Sequence, residues 1–349
     1  MPKGQPQVFL DANIVIRAGK PPGGPEIERV GDLVDAGLIR VLATDLTIAE
    51  ISRKHSANDF DVIKEVGRSH FRRIVEDTLG AKLPTVTKSE IKAVLDKKYA
   101  ESTSAMFKSL KAKLLEIDAV KPSTVFASYA AGSGFFSGEG KKDQFPDAFT
   151  FECLKAVATD KSPVIIVSDD GDFDAPAKQE ANILVLRSLP DLFKHLGFEM
   201  AAPPVAEFLE ENIDDLAKLV NSEVENWGLI GDVEDSEIYE VLVDEIEIER
   251  IAAFKPVDEG DSLLAIATLK VNARASFTHP DWDTASYDSE DKVLIPWDDV
   301  NGEADLEFSV DVSISIAVDE DGNPEEFDTL NFRNSDFQYV TLHPFEDYK

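Results

Sequence analysis

The chain has 349 residues, 43% of them hydrophobic, and a formal net charge of −33. That length exceeds one typical domain, and that apolar share excludes an unfolded chain. No apolar run is long enough to span a bilayer, Met1–Pro6 lacks the apolar core of a secretion signal, and a lone Cys153 excludes an intrachain disulfide, so a reducing, cytoplasmic setting is expected.

The charge is divided unevenly. Residues 1–200 carry 27 Lys+Arg against 29 Asp+Glu, whereas residues 201–349 carry 8 against 39. Adaptation to high salt would acidify both halves, so the asymmetry predicts a domain boundary near residue 200, where Pro203-Pro204 sits.

In chain order, the apolar run Val8-Phe9-Leu10 with Ile14-Val15-Ile16 predicts a buried strand near the centre of a parallel sheet. Asp11 then falls at the strand's carboxyl end, where open α/β sheets place ligands. A carboxylate there calls for a partner, and a divalent cation is one; capping the segment that starts at Ile14, by Asp11 or Asn13, is the alternative. Lys20–Pro25 reads as a loop, and Ile27, Val30, Leu33, Val34 and Leu38 recur at helical spacing. Arg40–Thr44 reads as a second strand, followed by a helix capped by Thr44 or Asp45 that carries Glu50 in its early turns.

Residues 53–121 read as mostly helical with no clear strand, within a helical insert of about 53–130. Here 15 Lys+Arg stand against 10 acids. Such a surface draws polyanions, which marks Arg53, Lys54, Arg68, Arg72 and Arg73, with Lys141 and Lys142 further on, as candidate nucleic-acid contacts. The plain alternative is a solvated helical face laced with i,i+4 charge pairs. Ala130–Gly140 reads as a flexible Gly-rich loop. Pro146 then opens a helix with Asp147 in its first turn.

Val164–Val167 is a second β-branched run, followed at once by Ser168-Asp169-Asp170-Gly171-Asp172-Phe173-Asp174. Four acids in six residues repel one another without a cation, although Asp and Gly also favour solvated turns, and the spacing lacks the closing Glu of a calcium loop. Asn182–Leu186 reads as a third strand and Leu189–Leu196 as a closing helix. A pocket of carboxylates suits a hard cation such as Mg²⁺ or Mn²⁺, and two such ions can activate a water against a phosphodiester. A haloacid-dehalogenase-type phosphatase also begins with a strand ending in Asp. Its general acid two residues on is here Asn13.

The set Phe9-Leu10-Asp11-Ala12-Asn13, Thr47-Ile48-Ala49-Glu50-Ile51, Phe145-Pro146-Asp147-Ala148 and Val167–Phe173 resembles the PIN-domain nucleases over roughly residues 7–195. The Lys-Lys-Asp-Gln-Phe-Pro-Asp-Ala version of the third motif looks like the bacterial PIN-like branch called DUF4935. The resemblance implies an α/β domain, a parallel sheet with flanking helices, over 1–200. It implies catalytic and metal-binding roles for Asp11, Glu50, Asp147, Asp169 and Asp172, with Asn13, Ser168 and Asp143 supporting them by hydrogen bonds. It also implies hydrolysis of RNA, sometimes DNA, to 5′-phosphate and 3′-hydroxyl ends. The long insert departs from compact PIN toxins.

Beyond residue 200, Val205, Phe208, Leu209, Ile213, Leu216, Leu219 and Val220 predict one amphipathic linker helix over 201–228. Residues 229–349 alternate with a period of two, as in Ile238–Ile251, Leu263–Ala275 and Leu306–Val318. They predict a mostly antiparallel sheet or small sandwich with one acidic face, turning at Asp321–Pro324. Asp281, Asp283, Asp288, Glu290 and Asp291 read as a solvated loop before a calcium site. The acidic domain has three readings: it binds a basic partner, covers the basic insert, or keeps the protein soluble. For the whole chain the leading expectation is an endoribonuclease on single-stranded or structured RNA. The rival is a PIN-fold module that grips nucleic acid or a protein without cutting, although a scaffold needs none of the five carboxylates.

Overall fold

Val8, Phe9 and Leu10 are wholly buried, because their strand has a neighbour on each edge and helices on its faces. The computed structural model describes residues 5–137, 144–227, 229–289, 293–333 and 338–342. The chain divides into two compact units, Met1–Gly197 and Phe198–Lys349.

In the first unit five strands, β1 (Gln7–Leu10), β2 (Arg40–Thr44), β3 (Lys113–Leu115), β4 (Val164–Val167) and β5 (Ile183–Leu186), form one sheet in the order β3-β2-β1-β4-β5. All four pairings are parallel, as the β-branched runs predict. The chain runs outward from β1 to β2 and β3, then crosses back to β4 and β5. Strand order therefore reverses between β1 and β4, and ligands of open α/β sheets bind at the carboxyl ends beside such a reversal.

The helices are α1 (Ala12–Arg17), α2 (Pro25–Asp35), α3 (Asp45–Ile63), α4 (Ser69–Leu79), α5 (Lys88–Ser109), α6 (Pro122–Ala131), α7 (Phe145–Val157), α8 (Asp174–Ala177) and α9 (Leu189–His195). Thr44 caps α3, its hydroxyl accepting from the Thr47 amide at 3.1 Å. Thr87 and Glu90 close a reciprocal capping box at the start of α5. Among the described residues no helix is long and apolar enough to cross a membrane.

Two expectations for the first unit need correction. The stretch 53–121 is not strand-free: after α5 the chain enters the sheet as edge strand β3, pairing Lys113–Leu115 with Leu42–Thr44. Three residues, with only Leu115 buried, leave no periodicity to read. Nor is Ala130–Gly140 a loop as far as Ser137. Helix α6 runs to Ala131, a 3₁₀ turn spans Gly134–Phe136, and Phe135 and Phe136 are buried. The glycines announce the turns and conceal the anchors. Gly132 and Gly134, at φ of +60° and +61°, take left-handed conformations that cost glycine little.

In the second unit, strands β6 (Glu199–Met200), β8 (Glu237–Phe254), β9 (Leu263–Pro280), β12 (Asp299–Val318) and β13 (Pro324–Phe332) form an antiparallel sheet in the order β13-β12-β9-β8-β6. Short strands β7 (Leu229–Gly231) and β14 (Gln338–Val340) pair in parallel, and β10 (Ser286–Asp288) and β11 (Val293–Ile295) form a hairpin. Along β12, Leu306, Phe308 and Val310 are buried while Asp305, Glu307 and Asp311 are exposed. The expected linker helix is two helices, α10 (Pro203–Glu211) and α11 (Ile213–Trp227), separated by Asn212. Their buried Val205, Leu209, Leu216, Val220 and Val224 share the core of the sheet, so among the described residues the layer packed on it is helical. In the loop after β9 the Asp281 carboxylate accepts from the Asp283 amide, a local Asx turn. Glu290 and Asp291 lie outside the described residues.

Candidate functional site

The carboxyl end of β1 delivers Asp11, whose amide donates to the Val167 carbonyl at the end of β4 at 3.0 Å. Asp11 is the N-cap of α1, its Oδ1 accepting from the Ala12 amide at 2.8 Å. Its Oδ2 accepts from the Ser168 hydroxyl at 2.6 Å. Ser168 is itself fully buried and takes the Asp170 amide at 3.2 Å. Capping therefore orients Asp11, and each of its oxygens keeps lone-pair capacity for a further partner.

Asp147 lies in the first turn of α7, behind Pro146. That turn and the acidic turn after β4 are anchored by one aromatic cluster: Phe173 lies edge-on to Phe135 at 5.4 Å, and Phe135 to Phe151 at 5.5 Å. Phe173, only 1% exposed, follows Asp172 directly, so packing fixes where the acidic turn can sit. Phe173→Ala is expected to cost about 3–5 kcal/mol of stability. Denaturant unfolding measures it, and a loss under about 1 kcal/mol would separate the cluster from the placement of the turn.

Electrostatics tie the acids together. Burial pushes the Asp11 carboxyl up to about 6, and the charges of Glu50 and Asp170 add to the rise while the Ser168 and Ala12 bonds oppose it. Burial pushes Asp147 up to about 7, with the charges of Asp11, Glu50, Asp170 and Asp172 adding to it. Glu50 is exposed on α3, and Asp172 is half-buried. Acids from three other stretches of sequence, Asp11, Glu50 and the Asp170–Asp172 turn, thus all act on Asp147. Asp169 is placed differently: it forms an ion pair with Arg17 at 2.5 Å.

Asp170 is the residue that sequence reasoning left out of the site. The backbone is extended at Asp170, and adjacent side chains of extended backbone point to opposite sides. One acid of the Asp169-Asp170 pair therefore faces Arg17 while the other presses on Asp11 and Asp147. Only the local backbone tells which. Arg187 was also missed; its guanidinium donates to the Asp170 carbonyl at 2.7 Å and pairs with Asp174, pinning the turn.

Among the supporting residues, Ser168 bonds Asp11 as described, and the Asn13 Oδ1 is buried with no hydrogen-bond partner. Asp143, with Lys141 and Lys142, lies outside the described residues. Of the candidate nucleic-acid contacts, Arg72 is turned to another task, donating from Nη1 to the Val66 and Val86 carbonyls at 2.7 and 2.8 Å. Arg68 pairs with Glu65 and Arg73 with Asp77. Arg53 and Lys54 are exposed. The basic stretch is in large part a face of short-range ion pairs.

The donor set is carboxylate oxygen, which selects hard divalent cations. Among the described residues no three His, Cys, Asp or Glu converge closely enough to hold an ion by themselves. The arrangement fits an ion of the magnesium kind, which takes one or two carboxylates and fills its remaining positions with water and phosphate oxygens. Carboxyls driven above their usual range by burial and mutual repulsion are relieved by such a cation.

A five-stranded parallel sheet with flanking helices thus presents these acids at its reversal point, the ligand position of open α/β folds. Residues 8–173 match the family model described as PIN domain. PIN domains are in general metal-dependent nucleases, which makes nucleic acid the substrate class the fold points to. A search of curated proteins finds no match.

Proposed function

We propose that the protein is a metal-dependent endoribonuclease of the DUF4935 type. The observation that carries the site is the joint rise of Asp11 and Asp147 under the charges of Glu50, Asp170 and Asp172 at the reversal point of the sheet. Carboxylates are held in such company when a cation is to be shared among them. Mg²⁺ or Mn²⁺, when bound, supplies a water of lowered pKa and charge at the leaving oxygen of the phosphodiester.

The chain's own residues do the rest. Asp11 and Asp147 hold the ion, and the Ser168 and Ala12 bonds keep Asp11 in one orientation. Asp170 and Asp172 complete the negative field from the turn after β4. Glu50, the exposed member, orients the attacking water. Asp169 works through its bond to Arg17 at the rim. The products are a 5′-phosphate and a 3′-hydroxyl. The RNA preference rests on the resemblance of the motifs.

The full chain is to be incubated with single-stranded and structured RNA and DNA in Mg²⁺, Mn²⁺ or EDTA. Metal-dependent cutting of RNA, with product 5′ ends that a kinase labels only after phosphatase treatment, is the expected result. Cutting in EDTA would remove the metal from the reading. No cutting of any substrate would leave a module that binds without hydrolysis.

A further inference from the structure

We propose that Phe126 and Tyr129 form a stacking platform for the bases of a single-stranded nucleic acid passing into the site; this rests on the nuclease reading and narrows its substrate class. Both rings belong to α6, one turn apart and so on neighbouring positions of one face. Phe126 is 54% exposed and Tyr129 39%, whereas Val125 alone is the buried residue of that helix. Burial of α6 does not account for two exposed aromatic rings.

The rings are nevertheless held firmly. Phe126 lies 5.3 Å from Phe145, and Tyr129 lies 5.1 Å from Phe145 and 5.3 Å from Phe136. Phe145 and Phe136 are 4.8 Å apart, and Phe136 is 6% exposed, so the platform is backed by the core of the unit. A pre-set ring loses little freedom when a base stacks on it. Phe145 opens α7, and Asp147 is two residues further in the same turn. The platform is therefore backed by the same helical turn that carries a site carboxylate.

Charge favours the same occupant. Residues 119–138 contain no Asp or Glu and one Lys, in a chain with 68 acids. A phosphodiester backbone meets no fixed negative charge from this stretch, and Lys121, at the N-cap of α6, offers it a cation. An aromatic face in an acid-free window fits a strand of nucleotides better than an aliphatic protein segment, since every base has a face to stack. Duplex bases already stack on one another and leave no face free.

The test uses the full chain in EDTA, so that binding is read without cleavage. Short single-stranded RNA and DNA carrying 2-aminopurine, whose fluorescence falls on stacking, are titrated against wild type, Phe126→Ala, Tyr129→Ala and the double variant. Leu and Trp replacements at both positions accompany them, and melting curves confirm folding. Each Ala variant is expected to weaken single-strand binding about 5- to 100-fold and to lose the quenching. Trp should keep both, Leu should not, and duplex binding should stay unchanged. Ala variants that bind as wild type would overturn the platform while cleavage by wild type keeps the nuclease reading. Leu variants that bind as wild type would also overturn it, in favour of a plain apolar contact. A wild type that neither cuts nor binds any nucleic acid would remove both readings together.

Discussion

Asp147→Asn is expected to lower cleavage at least about 10³-fold, the equivalent of about 4 kcal/mol in barrier height, while making the metal-free protein more stable. Asp147 is the acid on which most of the others press, since Asp11, Glu50, Asp170 and Asp172 all push its carboxyl upward after burial has done so. Asn keeps the shape and removes the charge. The ion loses a donor, and the metal-free fold loses a repulsion that it gains nothing from. Single-turnover cleavage and thermal melting in EDTA, run on the same preparations, measure the two halves. A wild-type rate would take Asp147 out of the chemistry. A lowered melting point would mean that the carboxylate is a structural acceptor instead.

The second large effect is the share of the pH dependence of stability that the site acids create. Asp11 and Asp147 titrate near 6 and 7 in the folded chain, above the 3.8 of an ordinary Asp. Between those values the folded state binds more protons than the unfolded one. Stability is therefore fully present below about 3.8, falls as pH rises through 6 and 7, and is level above. The two groups titrate as a coupled set, so the window belongs to the cluster. Each tenfold change in proton affinity is equivalent to about 1.4 kcal/mol, so the whole effect is on the order of several kcal/mol.

Because the chain has 68 acids in all, Asp11 and Asp147 among them, the comparison is between wild type and the Asp11→Asn, Asp147→Asn double variant in EDTA. Their melting points should converge near pH 4 and separate by several degrees at pH 8, the variant being higher. Mn²⁺ at about 100 times its Kd should return about 2.7 kcal/mol to wild type at pH 8 and nothing to the variant. Parallel melting profiles across pH would dissolve the cluster as an electrostatic unit. An undiminished Mn²⁺ shift in the variant would place the ion elsewhere.

How far the sequence exposed all this varied with the kind of signal. Strands β1, β2, β4 and β5 are short apolar runs, and β1 and β4 are buried throughout, so composition alone located them. Strand β3 escaped because an edge strand of three residues carries no periodic signal. Asn212 escaped because a single Asn breaking two helices looks like any other polar residue on a helical face. In the acidic turn the sequence marks a cluster of carboxylates, but an adjacent pair points both ways, and Arg17, six residues beyond Asp11, captures one of them. Arg72 shows the same limit: its carbonyl at Val86 is 14 residues away, beyond any helical spacing rule.

The reversal of strand order between β1 and β4 also sets a timetable for the chain during synthesis. Asp11 and Glu50 emerge early, but Asp147, Asp170 and Asp172 follow only after the long excursion through β3. The 161 residues from Asp11 to Asp172 take about 8 to 30 s to make at roughly 5–20 residues per second. Until β4 arrives, β1 has no partner on that edge, and Asp11 lacks both the Val167 carbonyl and the Ser168 hydroxyl that fix it. A nascent chain that has not yet reached α7 thus carries only Asp11 and Glu50 of the candidate site acids. The cluster of acids becomes complete only once β4 and the turn behind it have been made, so chain order itself sets when the site can assemble.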